Sequence, residues 1–173
     1  MASPLRASLS AAEAAERANT PRLAPVLAID YGRRRIGLAL SDALGLTARP
    51  LATLMRTNRR HDLRRLREIA RQHEVRLILV GHPLQLDGSA GEMAGEAARF
   101  AARIEKHLGL PVKLVDERLS SWEAQRILPR ASRAGKGAGA RRHKGTDKLD
   151  QVAAAVILRD YLAHQAARRH AKD

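Results

Sequence analysis

Three acids, Asp30, Glu117 and Asp150, stand where side chains converge and chemistry becomes possible. Asp30 ends the apolar run VLAID, Glu117 ends VKLVDE, and Asp150 falls in the first turn expected of a C-terminal helix. Side chains at such element ends meet at the rim of an α/β sheet. Carboxylates gathered there repel one another unless a cation neutralises them, and hard oxygen ligands suit Mg²⁺ or Mn²⁺. Two such ions about 3.5–4 Å apart activate water and stabilise the leaving oxygen in phosphodiester hydrolysis. Each acid also has an ordinary reading: Asp30 as a cap on the turn at Gly32, Glu117 as a partner of Arg118, Asp150 as an acid favoured near a helix N-terminus. Asp116 adds an alternative to Glu117, because neighbours on a strand point to opposite faces and only one of the two faces a site directly.

The elements that must position these acids follow from hydrophobic spacing. VLAID and IGLALS, separated by YGRRR, predict a hairpin, and LTARPLATL predicts a third strand whose Pro50 belongs at an edge or a bulge. Leu63, Leu66, Ile69 and Ala70 predict a helix between Asp62 and Glu74, followed by the buried strand RLILVG. Ser89-Ala-Gly-Glu92 has the spacing of a capping box opening a helix that carries Met93, Ala97, Phe100, Ile104 and Leu108 and stops at Gly109-Leu-Pro111. Strand VKLVDE comes next, and Ser120-Ser-Trp-Glu123 predicts a short helix to about Leu128. Residues 130 to 145 are rich in Gly, Ala and base, which predicts a flexible basic loop. The last helix is expected from about Asp147 to His164 with Leu149, Val152, Ala153, Val156 and Tyr161 on its apolar side. Three strands and then alternating helices and strands indicate an α/β domain with a mixed sheet. Residues 1–22 read as a flexible N-terminal extension, 23–165 as one domain, and 166–173 as a solvated basic tail.

Composition narrows the partners. Lys and Arg number 32 against 18 Asp and Glu, a net charge of +14, and a polyanion such as nucleic acid is the natural ligand of that charge. The plain alternative is a basic surface without catalysis. There is no cysteine, which excludes disulfides and thiolate metal sites. The N-terminus lacks a signal-like apolar stretch, and no apolar run approaches the ~20 residues that span a bilayer, so a cytoplasmic protein without membrane contact is expected. Aromatic residues make up only 2% of the chain, leaving little with which to stack single-stranded bases and favouring duplex or folded substrates read through backbone and shape.

Four blocks, VLAIDYGRRRIGLALSD, LILVGHPLQLDGS, VKLVDERLSSWEA and KLDQVAAAVILRDYL, resemble in order and spacing the motifs of the YqgF/RuvX family over roughly residues 25 to 163. That family is described as pre-16S rRNA nucleases and, earlier, as Holliday junction resolvases, with a ribonuclease H-like fold. The resemblance implies that Asp30, Glu117 and Asp150 bind the metal. His82 and Gln85 stand where the family loop usually has Leu and Asn, and Ser121-Trp122 replaces the usual Thr-Val, so contacts near that loop depart from the pattern. A histidine following a buried strand is more often structural than a general base, and His82 is read that way.

Two basic elements flank the acids in sequence. Arg33, Arg34 and Arg35 begin three residues after Asp30, and Arg133, Lys136, Arg141, Arg142 and Lys144 lead into the Asp150 helix. Both are expected to bring phosphates to an otherwise repulsive site. The resulting expectation is a metal-dependent endonuclease on precursor 16S ribosomal RNA, monomeric or weakly dimeric, engaging ribosomal particles. The alternatives are resolution of branched DNA, a non-catalytic RNA-binding role in ribosome maturation, and an actin-like ATPase or sugar kinase. The last needs two related domains around its nucleotide, for which 173 residues leave no room.

Overall fold

Side-chain alternation along the first strand divides the protein into two layers. In a computed structural model describing residues 25–85, 87–117 and 142–170, β1 (Val26–Tyr31) sends Leu27 and Ile29 into one core and Val26 and Ala28 into another on the opposite face. β2 (Arg35–Ser41) and β3 (Ala48–Met55) continue as an antiparallel meander. β4 (Leu77–His82) lies parallel to β1, and β5 (Val112–Asp116) parallel to β4, giving the order β3-β2-β1-β4-β5. The helices are α1 (Arg59–Gln72), α2 (Glu92–Leu108) and α3 (Arg142–His170). The mixed α/β sheet with helices on both faces, expected from the sequence, is the one that forms.

The larger core joins Leu27, Ile29, Ile36, Leu38, Ile78 and Val80 of the sheet to Leu63 and Leu66 of α1 and Phe100 and Ile104 of α2. Burying each such aliphatic side chain contributes about 1.5–3 kcal/mol, which offsets the shortage of aromatic rings. On the other face Val26, Ala28, Ala39 and Leu79 receive Ala154, Leu158 and Leu162 of α3. Alanines and glycines on this face let the helix approach closely. Pro50 sits as expected on an edge strand and beside a bulge: Leu38 pairs with Ala52 but Ala39 with Pro50, leaving Leu51 as the extra residue.

Several boundaries differ from the sequence reading. Helix α2 starts at Glu92 with Gly91 as its cap and no side-chain capping bond, so Ser89 does not form a capping box. Its segment is committed elsewhere: Ser89 N donates to Asp87 Oδ1, its carbonyl accepts from Gln85 N, and Ala90 bridges to Leu84. Helix α3 begins at Arg142, where the basic loop was expected to continue, and extends past His164 into the expected tail as far as His170. Its buried residues are Ala154, Val156, Ile157, Leu158 and Leu162, so Val156 is buried as expected, whereas Leu149 is 43% exposed. Strand β5 stops at Asp116, so Glu117 lies just beyond it in a turn. The N-terminal extension and the 120–128 helix lie outside the described residues. No helix among the described residues is long and apolar enough to cross a membrane.

Candidate active site

Asp30 continues the Val26–Ala28 series and therefore faces α3. Gly32 N donates to the Arg35 carbonyl at 2.9 Å, so the turn closes without Asp30 as its cap. On one flank, Asp30 pairs across the ladder with Gly37 of β2. On the other, the pairing of Ile29 with Val80 brings Gly81 of β4 level with it. Both glycines are places where a neighbour occupies the space of a β-carbon. A β-carbon on Gly37 would overlap the Asp150 carbonyl and stand 3.1 Å from the Asp150 β-carbon. One on Gly81 would overlap the Glu117 carboxylate and lie 2.9 Å from both Glu117 Cδ and Ile157 Cδ1. The sheet is thus opened on either side of Asp30, by one glycine for Asp150 and by another for Glu117.

Asp150 reaches Gly37 because it stands one turn before Ala154 on the buried stripe of α3. It lies well inside that helix rather than in its first turn, so a preference for the helix N-terminus does not account for it. Glu117 extends the α3-facing series of β5, in which Lys113 bonds to Tyr161 and Val115 packs beside Ala154 and Leu158. Its backbone N donates to the His82 carbonyl at 3.4 Å. Asp116 pairs with His82, and both alternate to the opposite face, away from Asp30.

The charges sense one another. Burial, followed by repulsion from Asp150, pushes the Asp30 carboxyl up to about 6. Burial, then Asp30 and then Asp116, pushes Glu117 up to about 7. Arg35 Nε lies 2.7 Å from Asp150 Oδ2, yet the approach is off the line of a hydrogen bond, and this buried oxygen accepts none. Among the described residues, no three acidic or histidine side chains stand tightly enough together to enclose an ion. The donor chemistry nevertheless suits a hard divalent cation: three carboxylates, two held above their usual range by burial and repulsion from neighbouring acids, and one whose buried oxygen is ion-paired with Arg35 but accepts no hydrogen bond.

The three arginines of the hairpin separate into three environments. Arg33 folds back onto α2, 2.8 Å from Glu92 Oε2 and 2.9 Å from Glu96 Oε1. Arg34 is exposed, and Arg35 is spent on Asp150. Arg56 holds the turn from behind: its Nη1 donates to Tyr31 Oη, Gly32 O and Arg33 O at 2.9, 3.1 and 3.3 Å, and its guanidinium lies over the Tyr31 ring. Arg133, Lys136 and Arg141 lie outside the described residues, while Arg142 and Lys144 have their backbone in α3. Gly37, Gly81 and Arg56 escaped the sequence reading. A glycine interrupting each of the apolar runs RIGLAL and LILVGH was the available signal for the first two.

A relative from Koribacter versatilis named "Putative pre-16S rRNA nuclease" is 42% identical over 83% of this chain and 90% of its own. One of the same name from Anaeromyxobacter sp. is 44% identical over 81% of this chain and 97% of its own. Among solved structures, Thermus thermophilus RuvC in complex with a Holliday junction substrate is similar at a TM-score of 0.49 and 17% identity, covering 82% of this chain and 95% of that one. The sequence model described as "RuvX: Holliday junction resolvase" matches residues 24–164, and the chain belongs to the RuvX family.

Proposed function

We propose that this protein is a divalent-metal-dependent endonuclease that processes precursor 16S ribosomal RNA, within or alongside ribosomal precursor particles in the cytoplasm. The observation that carries the reading is the pair of glycines, Gly37 and Gly81, that admit Asp150 and Glu117 on either side of Asp30. Asp30, Glu117 and Asp150 would hold Mg²⁺ or Mn²⁺. Bound there, such ions supply charge neutralisation at the scissile phosphate and activation of water. Arg35 restrains Asp150, and the exposed Arg34, together with the basic residues Arg133, Lys136, Arg141, Arg142 and Lys144, would draw the phosphate backbone toward the acids. The relatives' names favour an RNA precursor, and the family's description favours a four-way DNA junction as the second reading. Incubating the purified protein and Mn²⁺ with each substrate, with EDTA as control, decides between them. Metal-dependent cutting of the precursor alone is the expected result, and preference for the junction would select the second.

A further inference from the structure

The layer opposite the acids carries a cationic surface that the active site does not use. Helix α1 holds six arginines in fourteen residues, and its two acids are already engaged: Asp62 is buried against Arg56, and Glu68 lies 3.4 Å from Arg65. Arg59, Leu63, Arg67 and Arg71 follow one another at four-residue steps, forming a ridge about 18 Å long at the α-helical rise. Between this ridge and the last turns of α2 runs a cleft of about 310 Å³ lined by Arg59, Leu63, Arg103, Lys106 and His107. Arg67 donates to the His107 carbonyl, which ties the two walls together and satisfies an acceptor that would otherwise weaken the positive field. Arg59, Arg103, Lys106 and His107 are exposed, and among the described residues none of Arg59, Arg103 and Lys106 is held by a carboxylate.

We infer that this α1–α2 cleft is a second phosphate-backbone site, which grips a helix of the folded nucleic-acid substrate other than the one presented to Asp30. The inference rests on the nucleic-acid substrate proposed above. Arg59, Arg67 and Arg71, about 12 and then about 6 Å apart along α1, with Arg103 and Lys106 across the cleft, suit a polymer carrying a row of phosphates, and clefts lined by one sign of charge focus the field on such a ligand. The cleft lies on the α1–α2 side of the sheet and Asp30 on the α3 side, so one straight duplex does not fill both. A substrate with several helices does.

The test uses the full chain and a multi-helix folded RNA, with binding measured in EDTA across a salt series and cleavage measured with Mn²⁺. Replacing Arg59, Arg103 and Lys106 together with Gln is expected to lower the slope of log affinity against log salt by about 2–3, to raise KM at least tenfold, and to leave kcat unchanged. A charge-matched control, Arg49→Gln with Arg76→Gln and Arg168→Gln, is expected to keep a slope close to that of the unmodified protein. Thermal melting confirms that both variants fold. An unchanged slope in the cleft variant, or an equal drop in the control, overturns the second site. Failure of the unmodified protein to bind any folded RNA overturns the nucleic-acid reading itself, and is distinguished by appearing before any substitution is made.

Discussion

No β-carbon fits between Gly37 and Asp150, because the backbone of α3 at Asp150 occupies the space above that point of the sheet. Gly37 is also the ladder partner of Asp30, so one missing methyl sets the separation of two acids. At Gly37 the obstacle is backbone, which does not step aside, and Gly37→Ala should destabilise the fold by about 1–3 kcal/mol as α3 is pushed off. At Gly81 the obstacle includes the mobile end of Glu117. Gly81→Ala should therefore fold and displace that carboxylate, with cleavage falling about 10²-fold. Thermal melting and turnover measured on both variants separate the two effects, and full activity in Gly81→Ala would remove Glu117 from the site.

The raised carboxyls make a prediction about pH. Asp30 at about 6 and Glu117 at about 7 hold protons more tightly when folded than the ordinary values of 3.8 and 4.5 allow in the unfolded chain. Their contribution to stability is therefore complete below about pH 4 and is lost as pH rises through 6 and 7. Without metal, stability attributable to these groups should fall across that window, on the order of 3 kcal/mol for each. Mg²⁺ or Mn²⁺ should restore it most strongly above pH 7. Melting curves against pH with EDTA and with metal test this, and the same melting temperature with and without metal at high pH would contradict it.

Glu117 rather than Asp116 should carry the metal from the DER block. Alternation along β5 turns Lys113, Val115 and then Glu117 toward α3, while Asp116 pairs with His82 on the other side. Glu117→Gln should abolish metal-dependent cleavage, and Asp116→Asn should retain most of it. Cleavage lost in Asp116→Asn and kept in Glu117→Gln would reverse the assignment.

Arg56 should prove structural at a distance from the chemistry. It bonds the β1–β2 turn at three acceptors and pairs with Asp62, which is 4% exposed. Arg56→Ala leaves that carboxylate with Thr57 N but without its cation, and should cost about 3–5 kcal/mol. Chemical denaturation measures the loss. A double variant with Asp62→Asn should recover part of it, and no recovery would show that the turn contacts dominate.

The sheet was legible in sequence because period-two alternation and the position of Pro50 follow from local geometry. Asp30 and Glu117 stood out because each ends an apolar run, whereas Asp150 stood out only as an acid in the first turn of an expected helix. What brings them together was not: the contact of Gly37 with Asp150 joins residues more than a hundred positions apart, and a glycine in a strand signals close approach without naming what approaches. The start of α3 was misjudged for a related reason. Gly145 and the surrounding bases read as loop, yet the helix runs from Arg142 through them to the stripe that packs Ala154 and Leu158 against the sheet. Asp150 thus moved from a helix end to the middle of a packed face, which is what gives it its place beside Asp30.

The most direct measurement is the rate of precursor ribosomal RNA cleavage by Asp30→Asn against the unmodified protein, in Mn²⁺ and in EDTA, with folding checked by circular dichroism. Asp30→Asn keeps the shape of the side chain and removes its charge. Cleavage should be present only in the unmodified protein with Mn²⁺ and should fall by at least about 10³-fold in the variant, with the fold intact. Turnover by Asp30→Asn at the unmodified rate, or undiminished cutting in EDTA, would contradict the account.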